Sequence, residues 1–129
     1  HLRSIAGPTI EFLGFLSDGE IEKLYVSAIA FIFSAKNEDF GIAPIEAMAH
    51  GVPVIAYYGG GVAETIIPHK TGVFFYQHNS QSLLSVLNKF NKQSFSRRTL
   101  RSHAQQFSAD RFKNEIYVYV LNALKKRGA

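Results

Sequence analysis

The sequence has no cysteine and no tryptophan in 129 residues, only one methionine and four prolines. Without cysteine there is no disulfide framework and no thiolate metal site. That absence fits a reducing compartment, and a cytoplasmic location is expected. No run approaches the roughly eighteen consecutive apolar residues of a transmembrane span. The five histidines, His1, His50, His69, His78 and His103, show no metal-ligand spacing. No charged-then-apolar leader opens the chain, which begins at His1 rather than Met. The expectation is a piece of a longer protein.

Acidic residues become scarce toward the end. Residues 1 to 88 carry four basic and eight acidic side chains, whereas residues 89 to 129 carry ten basic and two acidic. Solvated helix faces account for such a segment. Peripheral contact with an anionic membrane surface, such as the inner face of the cell membrane, is the sharper reading. No nucleic-acid-binding motif accompanies the charge, so nucleic acid is not an expected partner. With 47% apolar and 19% charged residues, the chain reads as one globular domain. A domain of this length buries roughly two-thirds of its unfolded surface.

Strand-like and helical segments alternate. "TIEFLGF" reads as a short strand. "SDGEIEKLYVSA" reads as a helix, with Ser17 and Glu20 as an S-x-x-E capping box and Ile21, Leu24 and Tyr25 on one face. "IAFIFS" is a near-continuous apolar run, as expected of a strand buried on both faces. A helix from about Ile42 to His50 follows, with Gly51 placed to end it. "VPVIAY" and "TGVFFY" read as two more strands, separated by three glycines and a helical turn or two in "VAETII". From about residue 80 the pattern is helical. Leu83, Leu84, Leu87 and Phe90 share one face, a second helix spans about Ser96 to Phe107, and Phe112, Ile116, Val120 and Leu124 repeat every fourth residue in a third. This alternation predicts an α/β domain over residues 1–129 with a Rossmann-like parallel sheet flanked by helices.

The stretch "NEDFGIAPIEAMAHG", residues 37 to 51, carries the chemistry. Ligands of open α/β sheets bind outside the carboxyl ends of the strands, and this loop follows one. The first turn of the next helix offers free N–H groups and the positive end of the dipole to phosphate or sugar oxygens. Gly41 lets a ligand approach the backbone. Pro44 sits in the first turn, where a missing N–H costs little. Helical side chains tilt toward the N-terminus, so Glu46 points back at the mouth of the site. A carboxylate there suits a vicinal diol, as the acidic residue of dinucleotide folds suits ribose. Glu38 would reach another part of the same ligand. Taken singly, Glu38 reads better as a solvated loop residue and Glu46 as an exposed helix residue. Together they fit a nucleotide-diphosphate sugar, with its diol, phosphates and further hydroxyls.

Residues 38 to 55, "EDFGIAPIEAMAHGVPVI", resemble the E-x7-E signature of group 1 (family 4) retaining glycosyltransferases of GT-B architecture. "GGVAET" at 60 to 65 is similar to the family's G-G-x-x-E step, and "FLGFLSDGEIEKLYVSAIAFIFSA" to its upstream helix and strand. The resemblance covers about Ile10 to Tyr76 and identifies the chain with the C-terminal, donor-binding domain. It implies that Glu46 holds the ribose hydroxyls and that Glu38, the candidate catalytic residue, contacts the transferred sugar. Asp39 falls within the same substrate-binding string. The backbone amides of Phe40, Gly41 and Ile42 are implied to hold sugar hydroxyls and the distal phosphate. Glu64 reads either as a further contact or as a helix-start residue near the dipole. The implied chemistry needs no metal or other cofactor, because the leaving phosphate takes the acceptor proton. "EDFGIAPIEAMA" with "FS" and "RFK" near 107 to 113 is similar to bacterial mannosyltransferases of O-antigen and related polysaccharide assembly, which favours GDP-mannose as donor.

Two parts of the family pattern have no counterpart. The Arg and Lys that grip the pyrophosphate, and the domain that binds the glycan or lipid-linked acceptor, would lie upstream of His1. The expectation is a partial, truncated donor domain, inactive alone, with an open sheet edge. The alternatives are a non-catalytic nucleotide-sugar-binding or interaction module, or a nucleotide-sugar epimerase of the same architecture.

Overall fold

The computed structural model describes residues 1–128. Its centre is a parallel three-stranded sheet in the order β1-β2-β3, formed by Phe31–Phe33, Val54–Tyr57 and Gly72–Phe75. The register pairs Phe31 with Val54 and Val54 with Gly72. The helices are α1 (Leu2–Ile5), α2 (Asp18–Ser27), α3 (Ile42–Ala49), α4 (Val62–Thr65), α5 (Ser80–Lys89), α6 (Arg97–Ala104) and α7 (Ala109–Arg127). Short 3-10 turns cover Lys92–Ser94 and Gln105–Phe107. The expected α/β parallel sheet with flanking helices is present.

β2 is central and buried on both faces, as a near-continuous apolar strand should be. Val54 and Ala56 join Met48, Val62, Phe74 and Leu100 in the main core. Ile55 is fully buried outside that cluster, consistent with the alternation of the strand. On its side, Tyr57 packs against Phe75 and His78. α6 lies against α3 through Leu100 and Ala104.

The ends of α2 and α3 form for legible reasons. Ser17 and Glu20 make the expected capping box, with the Ser17 amide donating to Glu20 Oε2 at 2.8 Å. α3 ends in a Schellman motif: Gly51 N–H donates to Met48 O and Val52 N–H to Ala47 O, each at 2.9 Å. The motif needs a left-handed residue, and Gly51 supplies it at φ 77°.

Three expectations are corrected. "TIEFLGF" forms no strand. Residues 9–15 are exposed, make a turn bond from Ile10 N–H to Gly7 O, and find no sheet neighbour. An apolar run without a pairing edge gains too little to form a strand. β1 is an edge strand among the described residues and is not buried on both faces: Phe31 and Phe33 pack against the main core, while Ile32, on the opposite face, is 46% exposed. The helix expected to Phe107 tightens at Gln105 into 3-10 geometry. On α7, Phe112, Ile116, Val120 and Leu124 do align, but all four are exposed.

Candidate functional site

The site is built at the carboxyl ends of β1 and β2, where two loops clasp each other by backbone contact. The Gly61 amide donates to Glu38 O at 2.9 Å. A Cβ on Gly60 would stand 2.2 Å from Glu38 O, and one on Gly61 2.2 Å from Asp39 O and 2.5 Å from Phe40 Cα. No residue with a side chain could bring these strands of chain so close. At the start of the first loop, Ser34 O accepts from His78 Nε2 at 2.8 Å.

Gly41 starts α3 at φ 80°, and a Cβ there would meet Val62 Cγ1 at 2.8 Å. Glu38 is half-buried and turns its Oε1 toward the Gly41 amide, 3.4 Å away. No side chain caps α3. The N–H groups of Ile42 and Ala43 are thus left to water or a ligand, while Pro44, buried in the same turn, has none to offer. Asp39, Phe40 and Ile42 are exposed at this mouth. Phe40 packs edge-on against Phe107, ring centroids 6.0 Å apart, which makes it a packing residue with one open side.

Glu46 lies one turn further along α3, exposed, and looks into a different recess. This cleft between α2 and α3 has a volume of about 350 Å3 and is lined by Asp18, Ile21, Glu22, Tyr25, Glu46 and His50. His50 Nδ1 donates to Glu46 O at 2.8 Å, and its ring stacks on Tyr25 with centroids 5.1 Å apart. Burial first, and then the Glu46 charge, push the Tyr25 phenol above its ordinary range. Glu38 through Ile42 thus gather at the helix N-terminus, and Glu46 follows along the same helix in the adjoining cleft. Glu64 is exposed in the first turn of the four-residue α4. Among the described residues no cluster of His, Asp and Glu could hold a metal ion.

Several contributors carried no local signal. His103 is buried and donates from Nε2 to Thr65 O at 2.7 Å, tying α6 to the end of α4. It also meets Phe107 edge-on, and Phe107 meets Phe40. Asp18, Glu22 and Tyr25 reach the site only because α2 packs beside α3.

The fold is a parallel α/β domain with the candidate residues gathered at the strand carboxyl ends. The sequence profile of the family described as glycosyl transferases group 1 matches residues 5–107, and the chain belongs to that family. It is 32% identical over 116 residues to the alpha-1,3/1,6-mannosyltransferase ALG2 of Mus musculus, covering 86% of this chain and 28% of that protein. The human ALG2 is 31% identical over 127 residues, covering 95% of this chain and 30% of ALG2. A GDP-mannose-dependent alpha-mannosyltransferase of Mycobacterium tuberculosis is 40% identical over 68 residues, 53% of this chain and 18% of that protein. The chain therefore spans under a third of the length of these relatives. The crystal structure of Anabaena Alr3699/HepE in complex with UDP superposes with a TM-score of 0.70 at 24% identity, over 88% of this chain and 32% of that one. That likeness bears out the fold expected of the GT-B type.

Proposed function

We propose that this chain is the donor-binding part of a retaining hexosyltransferase, with a nucleotide-diphosphate sugar as its ligand and GDP-mannose as the favoured donor. The observation that carries the reading is the uncapped N-terminus of α3 beside the clasped loops, with Glu38 at the mouth and Glu46 one turn on. Free N–H groups and a helix dipole suit the diphosphate. Glu46 suits the ribose diol, and Glu38 with the amides of Phe40, Gly41 and Ile42 suits the sugar. Relatives named as mannosyltransferases support mannose as the transferred sugar. On this reading no metal is needed, and a second domain supplies the acceptor, a glycan or a lipid-linked one.

The test is a ligand-observed NMR titration of this chain with GDP-mannose, UDP-glucose, UDP-N-acetylglucosamine and plain mannose, with Glu46→Ala as control. Binding on the order of millimolar, about 4 kcal/mol, is expected for a nucleotide sugar and not for mannose. Its loss in Glu46→Ala supports the site. Failure of the folded chain to bind any of the three nucleotide sugars overturns the reading.

A further inference from the structure

The loop of residues 38–41 is pinned on one side by Gly60 and Gly61, where α4 begins. α4 is four residues long, and so short a helix has little stability of its own. What holds its far end therefore matters to the loop. Thr65 is buried there, and the carbonyl of a last helical residue needs a donor from elsewhere. His103 Nε2 supplies it at 2.7 Å. Four residues on, across the point where α6 tightens into 3-10 geometry, Phe107 meets the His103 ring edge-on, centroids 5.4 Å apart. The Phe107 ring in turn meets Phe40 edge-on at 6.0 Å. The contacts close a circuit: from the Phe40 backbone to Gly61, through α4 to Thr65, on to His103 and Phe107, and back to the Phe40 ring.

The two ends of the last contact are held unequally. Phe107 packs against the main core and directly precedes Ser108, the N-cap of α7, whose Oγ accepts from the Arg111 amide at 3.3 Å. Phe40 is 47% exposed and is followed by Gly41, whose φ of 80° gives the backbone there unusual freedom. Its backbone leads straight into the uncapped first turn of α3. An edge-to-face partner adds stabilisation beyond the area it buries, and Phe107 is placed to give Phe40 that.

We infer that His103 and Phe107 are positioning residues of the donor mouth. They hold the Phe40 ring and the end of α4 so that the backbone of residues 40–42 meets a nucleotide-diphosphate sugar in one preset geometry. The inference rests on the donor-binding reading above. Neither residue needs to touch the ligand, because one acts through the end of α4 and the other through Phe40. Donors already held in place bind better than donors that must first be ordered. The helical part that follows β3 is then a part of the site as well as a cover for the sheet.

The experiment is a double-mutant cycle on this chain, read by NMR titration with GDP-mannose, UDP-glucose and UDP-N-acetylglucosamine at a temperature where every variant is folded. Phe107→Leu keeps apolar bulk and loses the ring. Phe40→Leu keeps the backbone amide and loses the other ring. Each alone is expected to weaken the best-bound of the three sugars about fivefold, and the double variant no more than either alone, because both break one contact. His103→Gln keeps a donor for Thr65 O and loses the ring that Phe107 meets, so it should weaken binding by less, about twofold. Ile55→Val is the stability control. Ile55 is fully buried outside the main core cluster, so its truncation should lower the melting temperature and leave the affinity unchanged. Parent-level affinity in Phe107→Leu overturns the inference and leaves the donor reading standing, and so do losses that simply add in the double variant. Should Phe107→Leu not fold, parent-level affinity in His103→Gln overturns it instead. Failure of the parent chain to bind any of the three sugars overturns both.

Discussion

Gly61→Ala tests the clasp on which the site depends. Gly61 has an ordinary right-handed backbone, φ −63° and ψ −23°. At such a position replacing glycine by alanine normally stabilises, by about 0.4–1 kcal/mol, because the unfolded chain loses freedom. Here the new methyl would stand 2.2 Å from Asp39 O and 2.5 Å from Phe40 Cα, both backbone atoms. Ordinary carbon–oxygen contact requires the loop to retreat by about 1 Å. Forced repacking of this kind costs about 1–3 kcal/mol, and the Gly61–Glu38 hydrogen bond is strained with it. For a domain of this size that lowers Tm by roughly 4 °C per kcal/mol. Nucleotide-sugar affinity should fall further than stability does, because the displaced atoms carry Glu38 and the Phe40 amide. Gly59→Ala is the control. Its Cβ meets a movable Tyr57 ring edge at 3.2 Å, so it should cost less than about 1 kcal/mol. Thermal melts and NMR titrations of both variants decide it. A Gly61→Ala chain that melts higher than the parent, and binds as well, would refute the clasp.

Other predictions follow from single contacts. Gly51→Ala should lose about 1–2 kcal/mol in a melt, because a left-handed Cβ is disfavoured and Arg97 Cβ is 3.2 Å away. His103→Ala leaves Thr65 O buried without its donor and opens a cavity, for a loss of about 2–3 kcal/mol, and His103→Gln should recover part of it by keeping a donor. The Tyr25 phenol is raised by burial and then by Glu46, so the stability it contributes is present below the ordinary tyrosine value and lost as pH rises through the raised one. Spectrophotometric titration of Glu46→Gln should show that tyrosine ionising earlier. The exposed stripe of Phe112, Ile116, Val120 and Leu124 should make this chain self-associate, and concentration-independent monomer by light scattering would contradict that.

Where local pattern governs, the sequence was readable. The Ser17–Glu20 box, the Gly51 stop and the two apolar runs of β2 and β3 are short-range devices, and each is where its residues predicted. "TIEFLGF" misled because a strand is a statement about a neighbour, and no neighbour pairs with it. β1 misled because an apolar run does not say whether both faces will be covered, and the Ile32 face is not. At the site, the proximity of Glu38 and Gly41 to a helix N-terminus followed from seven consecutive residues. The roles of Tyr25, His103 and the glycine clasp did not, because each depends on segments far apart in sequence: α2 on α3, α6 on α4, and the loop after β2 on the loop after β1.

On the donor-binding reading, the electrostatics of α3 favour one end of the helix for the diphosphate. The N-terminus of the helix presents uncapped N–H groups and a partial positive charge. Eight residues on, the side chains around its other end include Asp18, Glu22 and Glu46. A diphosphate placed there would meet three carboxylates with no cation between them, which is repulsive in any dielectric. Placed at Ile42, it meets free N–H groups and the helix dipole, with the nearest carboxylate, Glu38, turned onto the Gly41 amide. On that reading the diphosphate belongs at the N-terminal end of α3 and not in the carboxylate-lined cleft, whatever sugar is carried.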